Sequence, residues 1–273
     1  MFVARHLAAR IDRAEARLSI AIAEAAQAAD PALAVQISMI DGGAAVLLRP
    51  GSPINKLIGL GFTGPLDTEV LAAIEAHWHA RGEAVRVELA RLADPAVSEQ
   101  LAARGYRLRG FEHVLARPLA QADERHEPAG DIVVAKDDPA WLHTLVDGFA
   151  SPDGSATALD PLDRDAIAAV MRDFAAAPGF HRYTAHIAGT IVGAATLRID
   201  DGIAILCGAS TLPLARRRGV QAALLAARLR DATRVGCELA VVTTDPGSLS
   251  QRNAARQGFE LAYVRAIAAL PGA

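Results

Sequence analysis

Apolar side chains at Val3, Leu7, Ile11, Ala14, Leu18, Ile22 and Ala25 recur at a spacing that places them on one face of a helix over residues 3–28. The pattern then shortens. Ala34–Met39 and Ala44–Leu48 read as strands joined at Asp41-Gly42-Gly43, a hairpin signal, and Lys56–Gly61 reads as a further short strand. Helical spacing returns over Thr68–Ala80, with Asp67 placed to cap it. A strand at Ala84–Ala90, a short helix at Pro95–Arg104 and a strand at Tyr106–Arg117 complete this half. Ala120 to Gly130 is polar, charged and ends in Pro-Ala-Gly, which predicts a linker.

Beyond it the spacing predicts a strand at Asp131–Ala135, helices at Pro139–Phe149 and Arg164–Ala175, and hairpin strands His181–Ile187 and Thr190–Ile199 about Ala188-Gly189. A strand-like run from Gly202 to Leu212 follows, then an apolar helix, a strand at Glu238–Thr244, a helix after Ser248 and a last strand from Gly258-Phe259. The order of elements in residues 56–117 parallels that in 203–270, and Gly105-Tyr106 stands where Gly258-Phe259 stands later. This pattern fits a degenerate internal repeat; two unrelated α/β pieces are the alternative. In the first half Gly61-Phe62-Thr63-Gly64-Pro65 occupies the turn between strand and helix and carries no basic residue.

The corresponding turn in the second half is different. It reads Thr211-Leu212-Pro213-Leu214-Ala215-Arg216-Arg217-Arg218-Gly219-Val220-Gln221-Ala222 and opens a helix. Three adjacent cations at a helix N-terminus oppose the helix dipole, at about 0.3–1 kcal/mol each at low salt, and a bound anion removes that penalty. Free N–H groups of the first helical turn point outward, and Gly219 lets backbone approach a phosphate closely. A solvated charge cluster is the plainer reading; the combination with the glycine turn favours a pyrophosphate cradle.

Arg216-Arg217-Arg218-Gly219-Val220-Gln221 resembles the Q/R-x-x-G-x-G/A motif of the GNAT N-acetyltransferases, departing from it at Gln221. Ser248 to Phe259 (S-L-S-Q-R-N-A-A-R-Q-G-F) looks like the family's next helix and its closing Gly-Phe. The resemblance implies an α/β fold of tandem GNAT-like (acyl-CoA N-acyltransferase) domains, with mixed central sheets flanked by helices. The boundaries expected are a degenerate domain over 1–119, a linker over 120–130 and an acetyltransferase domain over 131–273. It also implies acetyl-CoA as co-substrate, held by Ser210, Thr211, Leu212, Arg216, Arg217, Arg218, Gly219, Val220, Gln221, Ala222 and Asn253.

Composition narrows the partners. Of 273 residues 52% are hydrophobic, and the net charge is −3. Residues 1–128 hold 14 basic and 16 acidic side chains, residues 129–273 hold 14 and 15, so neither half is a nucleic-acid polyelectrolyte. Positive charge is instead local: Arg216 to Arg234 contains six arginines against Asp231 alone. No apolar run of about 20 residues predicts a membrane span. Charged residues interrupt the N-terminal segment, and Cys207 and Cys237 form no C-x-x-C, so a reducing, cytoplasmic setting is expected. His77 and His79 diverge on their helix at i, i+2, and no metal is expected.

The reaction implied is direct transfer of acetyl to a primary amine of a small molecule or peptide; an acyl-CoA-binding sensor without turnover is the alternative. Its chemistry needs a deprotonated amine, a stabilised oxyanion and a leaving thiolate. Relatives use a tyrosine acid just after the asparagine, where this chain has Ala254 and Ala255. Tyr263 is the nearest substitute, with half-buried packing as its alternative role, and Ser250 is either functional or a helix cap. No carboxylate stands in the strand before the cradle, and Cys207 there reads more simply as an inert thiol than as a nucleophile. Asp153, His181 and Tyr183 are candidate bases or amine-binding groups, each with an ordinary surface role as the alternative. The Ala-rich first helix could pack on the second half or on another subunit, as in a homodimer.

Overall fold

The computed structural model describes residues 4–125, 131–151 and 164–272. In chain order the elements are α1 (Arg5–Ala29), β1 (Gln36–Ile40), β2 (Gly43–Leu47), β3 (Lys56–Ile58), α2 (Thr68–His79), β4 (Val85–Ala90), α3 (Pro95–Ala103) and β5 (Arg107–Pro118). They continue with β6 (Ile132–Lys136), α4 (Trp141–Phe149), α5 (Arg164–Ala176), β7 (Phe180–Ile187), β8 (Thr190–Asp200), β9 (Ile203–Ile205), β10 (Ala209–Thr211), α6 (Val220–Arg234), β11 (Leu239–Thr244), α7 (Leu249–Arg256) and β12 (Glu260–Leu270). No described helix is long and apolar enough to cross a membrane.

The chain forms two compact units: Met1–Val114 with Ala176–Pro178 and Leu261–Ala273, and Leu115–Ala175 with Gly179–Glu260. These differ from the contiguous halves expected at 1–119 and 131–273. The last strand supplies the reason. β12 returns to the first unit and pairs antiparallel with β4, from Arg265↔Ala90 to Leu270↔Val85. In the other direction β5 passes from the first unit into the second after Val114. Nor is residues 120–125 a free tether. Gln121–Arg125 forms a 3-10 turn, and the buried Asp123 accepts from the Ala120 N–H at 2.9 Å and ion-pairs with Arg117. Residues 126–130 lie outside the described residues.

The first unit orders its sheet by two antiparallel pairings, β1 with β2 and β2 with β3, followed by parallel β3 and β4. The second repeats that scheme: β7 with β8 and β8 with β9 antiparallel, then β9 and β11 parallel. In each, the parallel pair is joined by a helix, α2 or α6, because a parallel crossover needs a connection of that length. Apolar positions of the helices close the cores. Leu71, Ile74 and Trp78 of α2 pack with Val85 and Val87 in the first unit, while Ala223, Leu224, Ala227 and Leu229 of α6 pack with Tyr183, Ala195 and Leu197 in the second. On the opposite face of β8, Trp141 and Leu145 of α4 cover Ala194, and the Trp141 indole donates to the Ala195 carbonyl at 2.9 Å.

Candidate cofactor site

The second unit opens between β10 and β11. β9 is held to β11 as far as Val241, whose carbonyl accepts from the Leu206 N–H at 2.9 Å. A bulge then interrupts the strand: the Thr196 N–H donates to both Cys207 O (3.2 Å) and Gly208 O (2.9 Å). Past the bulge the chain resumes as β10 against β8 alone, while β11 runs on through Val242 and Thr243 to Thr244. The result is a wedge with its vertex at Leu206–Gly208 and its mouth toward Thr211.

Strand alternation decides which groups face the wedge. Gly208 bonds to Thr196 and the Leu212 N–H donates to Val192 at 2.9 Å. In the antiparallel pattern Ser210 therefore shares their orientation, and the backbone groups of Ala209 and Thr211 point away from β8. The Ser210 backbone and the Leu212 N–H, expected at the cofactor, thus face β8, and the Leu212 carbonyl accepts from the Ala215 N–H at 2.9 Å. The buried Ser210 side chain turns to α4, donating to Leu145 O at 3.2 Å. On the facing strand the buried Thr244 hydroxyl has no partner among the described residues.

At the mouth the chain makes a tight turn. Pro213–Ala215 is one 3-10 turn, Arg217 lies in the left-handed region (φ 62), and Gly219, φ 84, starts α6. A side chain at Gly219 would be strained by that backbone, and its absence leaves the first N–H groups of α6 without a side-chain cap. The three arginines are not equivalent. Arg216 turns back, its guanidinium donating to the carbonyls of Thr211 (3.4 Å) and Ser151, so it braces the turn against the loop after α4. Arg217 and Arg218 are exposed beside the helix start, as is Ala222; Val220 is buried in the core. Gln221 donates its side-chain amide to Thr211 Oγ1 at 2.9 Å.

The first unit has closed the equivalent position. The Asp67 carboxylate accepts from the N–H groups of Glu69 (2.9 Å) and Val70 (3.1 Å), so α2 carries its own anion where α6 has none.

α4 crosses β10 with almost no gap. A Cβ at Gly148 would lie 2.3 Å from Ser210 Oγ, so only glycine permits this approach. Asn253, half-buried on α7, accepts from Arg256 at 3.3 Å. The cap of α7 is Ser248, whose Oγ accepts from the Gln251 N–H at 3.1 Å; Ser250 is exposed in the first turn and is not the cap. His181 is exposed. Asp153 lies outside the described residues.

Two candidates are corrected by burial. Tyr183 is 1% exposed and donates to Asp231 at 2.9 Å, with Lys136 on the same carboxylate. Burial and the Asp231 charge push its phenol above the ordinary range, which makes it a packing residue under α6 rather than a group for an amine. Tyr263 sits in the core of the first unit, donating to Asp12 Oδ1 at 2.5 Å, and burial raises its pKa well above the ordinary value. A phenol locked in this way has no proton to give a leaving group.

Tyr263 belongs to a buried ionic cluster of the first unit. Arg265, without exposure, meets Asp12 (2.6 Å), Glu15 (2.6 Å) and Glu112 (2.9 Å), and Lys56 bridges Glu15 (3.0 Å) and Glu88 (2.8 Å). Glu15, Glu88 and Glu112 come within 4.8 Å of one another, but Arg265 and Lys56 already occupy the space between them as partners.

Sequence reasoning missed Gly148, Thr196 and Arg228. Arg228 had a signal: a cation inside the apolar run of α6. It is 4% exposed and donates to the carbonyls of Leu224 and Thr196, each at 3.1 Å. Burial lowers its pKa to about 10, because among the described residues no carboxylate pairs with it.

Residues 147–259 match the acetyltransferase (GNAT) family model. Among solved structures, a GCN5-related N-acetyltransferase from Kribbella flavida superposes with a TM-score of 0.64 at 20% identity, covering 94% of this chain and 96% of that one. A functionally unknown conserved protein from Staphylococcus epidermidis gives 0.60 at 14% identity over 90% and 97%. A tandem GNAT protein from the clavulanic acid biosynthesis pathway gives 0.56 at 13% over 85% and 79%. These likenesses establish the fold. Comparison with curated proteins gives no match.

Proposed function

We propose, from the match of residues 147–259 to the acetyltransferase (GNAT) family model, that the chain transfers an acetyl group from acetyl-CoA directly to a primary amine. The observation that carries this reading is the wedge opening onto an uncapped helix start, set against the Asp67-capped helix of the first unit. The N–H groups of Val220, Gln221 and Ala222, with Arg217 and Arg218, would hold the pyrophosphate. The backbone groups of Ala209 and the Thr211 N–H, which point away from β8, would pair with the pantetheine arm, and Asn253 on α7 would support it from the far side of the wedge. The orphaned Thr244 hydroxyl and the open strand edges fit such a ligand, since buried polar groups normally find partners.

Acetyl-CoA supplies an activated acyl carbon. The chain's part is to hold that carbon beside the amine, excluding water between α4 and the strands, and to donate backbone N–H groups toward the developing oxyanion. Gly148 and Arg216 keep α4 and its following loop against β10 for this purpose.

A second reading has its own observation. α7 carries Ala254 and Ala255 where an acid would stand, and Tyr263 is committed to Asp12. The chain would then bind acyl-CoA as a sensor without turnover. Calorimetric titration with acetyl-CoA and CoA, followed by thiol-release assays over a panel of amines, tests both. Micromolar binding, about −8 kcal/mol, with turnover supports transfer; binding without turnover supports the sensor; no binding by the folded protein rejects both.

A further inference from the structure

Arg228 is a buried cation that the site as described does not use. Its two hydrogen bonds go to neutral carbonyls, those of Leu224 on its own helix and Thr196 on β8. A charge kept in a protein interior without a counter-ion is costly, and carbonyl dipoles offset only part of that cost.

The arginine lies under one particular place. Thr196, whose carbonyl it holds, is the residue opposite the bulge. The Thr196 N–H meets Cys207 O and Gly208 O, and its hydroxyl donates to Cys207 O and lies 3.6 Å from Cys207 Sγ. The bulge is the vertex of the wedge. A ligand whose phosphates rest on the start of α6 and whose arm follows Ala209 and Thr211 brings its far, reactive end to this vertex. The groups that face Arg228 there are Cys207 at the bulge and Tyr183 from β7. Tyr183 stays neutral, its hydroxyl donating to Asp231, and Asp231 is itself paired with Lys136. Neither is a carboxylate, so Arg228 has no carboxylate counter-ion among the described residues.

We propose that Arg228 is the buried positive charge that stabilises the thiolate released at the vertex of the wedge, a task for which α7 offers no side-chain acid. The inference rests on the acetyl-transfer reading. In the transfer the amine nitrogen bonds to the thioester carbonyl carbon, the carbon–sulfur bond breaks with its electron pair on sulfur, and the surplus amine proton goes to solvent. The sulfur is left as an anion until water protonates it, and Arg228 lowers the energy of that anion through the low-dielectric floor of the site.

The test compares CoA with desulfo-CoA, which lacks the thiol, by calorimetry at about pH 7 and about pH 9, either side of an ordinary thiol near 8.5. With the wild-type protein CoA should gain about tenfold in affinity over desulfo-CoA as pH rises. Arg228→Met should abolish the gain, and Arg228→Lys should restore most of it. Equal pH dependence of the two ligands, or a gain that survives in Arg228→Met, overturns the proposal. If Arg228→Met does not fold, the wild-type comparison still decides. A second readout needs no cofactor: the pH midpoint of Cys207 alkylation by iodoacetamide, located by mass spectrometry. It should fall about one unit below that ordinary value in the wild type. A midpoint at or above it means that Arg228 projects no useful charge to the vertex. Failure of both CoA and desulfo-CoA to bind would reject the acetyl-transfer reading, while the Cys207 midpoint reports on Arg228 separately.

Discussion

Gln221 of α6 donates its side-chain amide to the hydroxyl of Thr211, the last residue of β10, at 2.9 Å. The bond ties the start of the helix to the end of the strand, across the mouth of the wedge. It also accounts for the chain's departure from the family motif at this position: the long side chain is folded onto Thr211 rather than left over the cradle. A ligand that takes the Thr211 hydroxyl as well as its backbone must displace the amide, giving up a hydrogen bond with a net value of about 1 kcal/mol. Gln221→Ala should therefore bind acetyl-CoA about fivefold more tightly in a calorimetric titration. Weaker binding would mean that the amide contacts the ligand instead.

Gly219 and Asp67 start comparable helices in the two units and should respond oppositely to substitution. Gly219→Val forces a β-branched residue into the left-handed region, costing about 1–2 kcal/mol of stability. It also places a side chain at the anion position, so acetyl-CoA affinity should fall at least about tenfold, a loss of about 1.4 kcal/mol. Asp67→Ala removes two capping bonds of α2 and should cost about 1 kcal/mol of stability while leaving acetyl-CoA affinity unchanged. Denaturant midpoints and titrations on the two variants read both effects. A loss of binding in Asp67→Ala would show that the cradle is not confined to the second unit.

Much of this was legible from local pattern. The hairpin at Asp41-Gly42, the Asp67 cap and the basic glycine turn before α6 each depend on a few adjacent residues, and each lies where its chemistry predicts. The parts that were not legible depend on residues far apart in the chain. That β12 returns to β4 is a pairing between residues about 180 positions apart, and no periodicity within β12 distinguishes it from a strand of its own half. The fate of Tyr263 follows from that pairing, since its partner Asp12 lies on α1. Burial of Arg228 and Asp123 was hidden for a similar reason: charged residues read as surface until their neighbours are known. That Ser210 and Leu212 face β8 was not legible, because strand alternation depends on register with β8, which the sequence does not mark.

Gly148 should be intolerant of even one methyl group. The α4 backbone rests on Ser210, and the added carbon of Gly148→Ala would lie 2.3 Å from Ser210 Oγ and 2.4 Å from its Cβ. Neither atom is the end of a long, flexible side chain, so α4 or β10 must shift. The expected cost is about 1–3 kcal/mol of stability, the range for overpacking a filled site. Since Thr211 follows directly, acetyl-CoA affinity should fall as well. Gly148→Ala/Ser210→Gly should recover much of the loss by vacating the contested volume. Failure of the double variant to recover would show that the helix backbone, not the Ser210 side chain, sets the limit.

The buried cluster of the first unit should give the protein a stability that declines toward alkaline pH. Burial, followed by the negative charge of Glu88, pushes the Glu112 carboxyl up to about 8, although Arg265 opposes the rise. A carboxyl whose folded pKa exceeds its unfolded value, near 4.5, stabilises the fold in its protonated form. That contribution is complete below the unfolded value and is lost as pH rises through about 8, at no more than about 1.4 kcal/mol per pH unit. Glu15 behaves oppositely. Despite burial, Arg265 and Lys56 hold it down to about 2, so its contribution is present above the ordinary carboxylate range and fades as pH falls toward that value. Thermal midpoints measured from about pH 5 to about pH 9 should therefore fall up to about pH 8 and level off above it, and Glu112→Gln, which mimics the protonated acid, should flatten the fall. An unchanged slope in Glu112→Gln would assign the alkaline loss to another group and leave Glu112 ionised beside Arg265 in the folded protein.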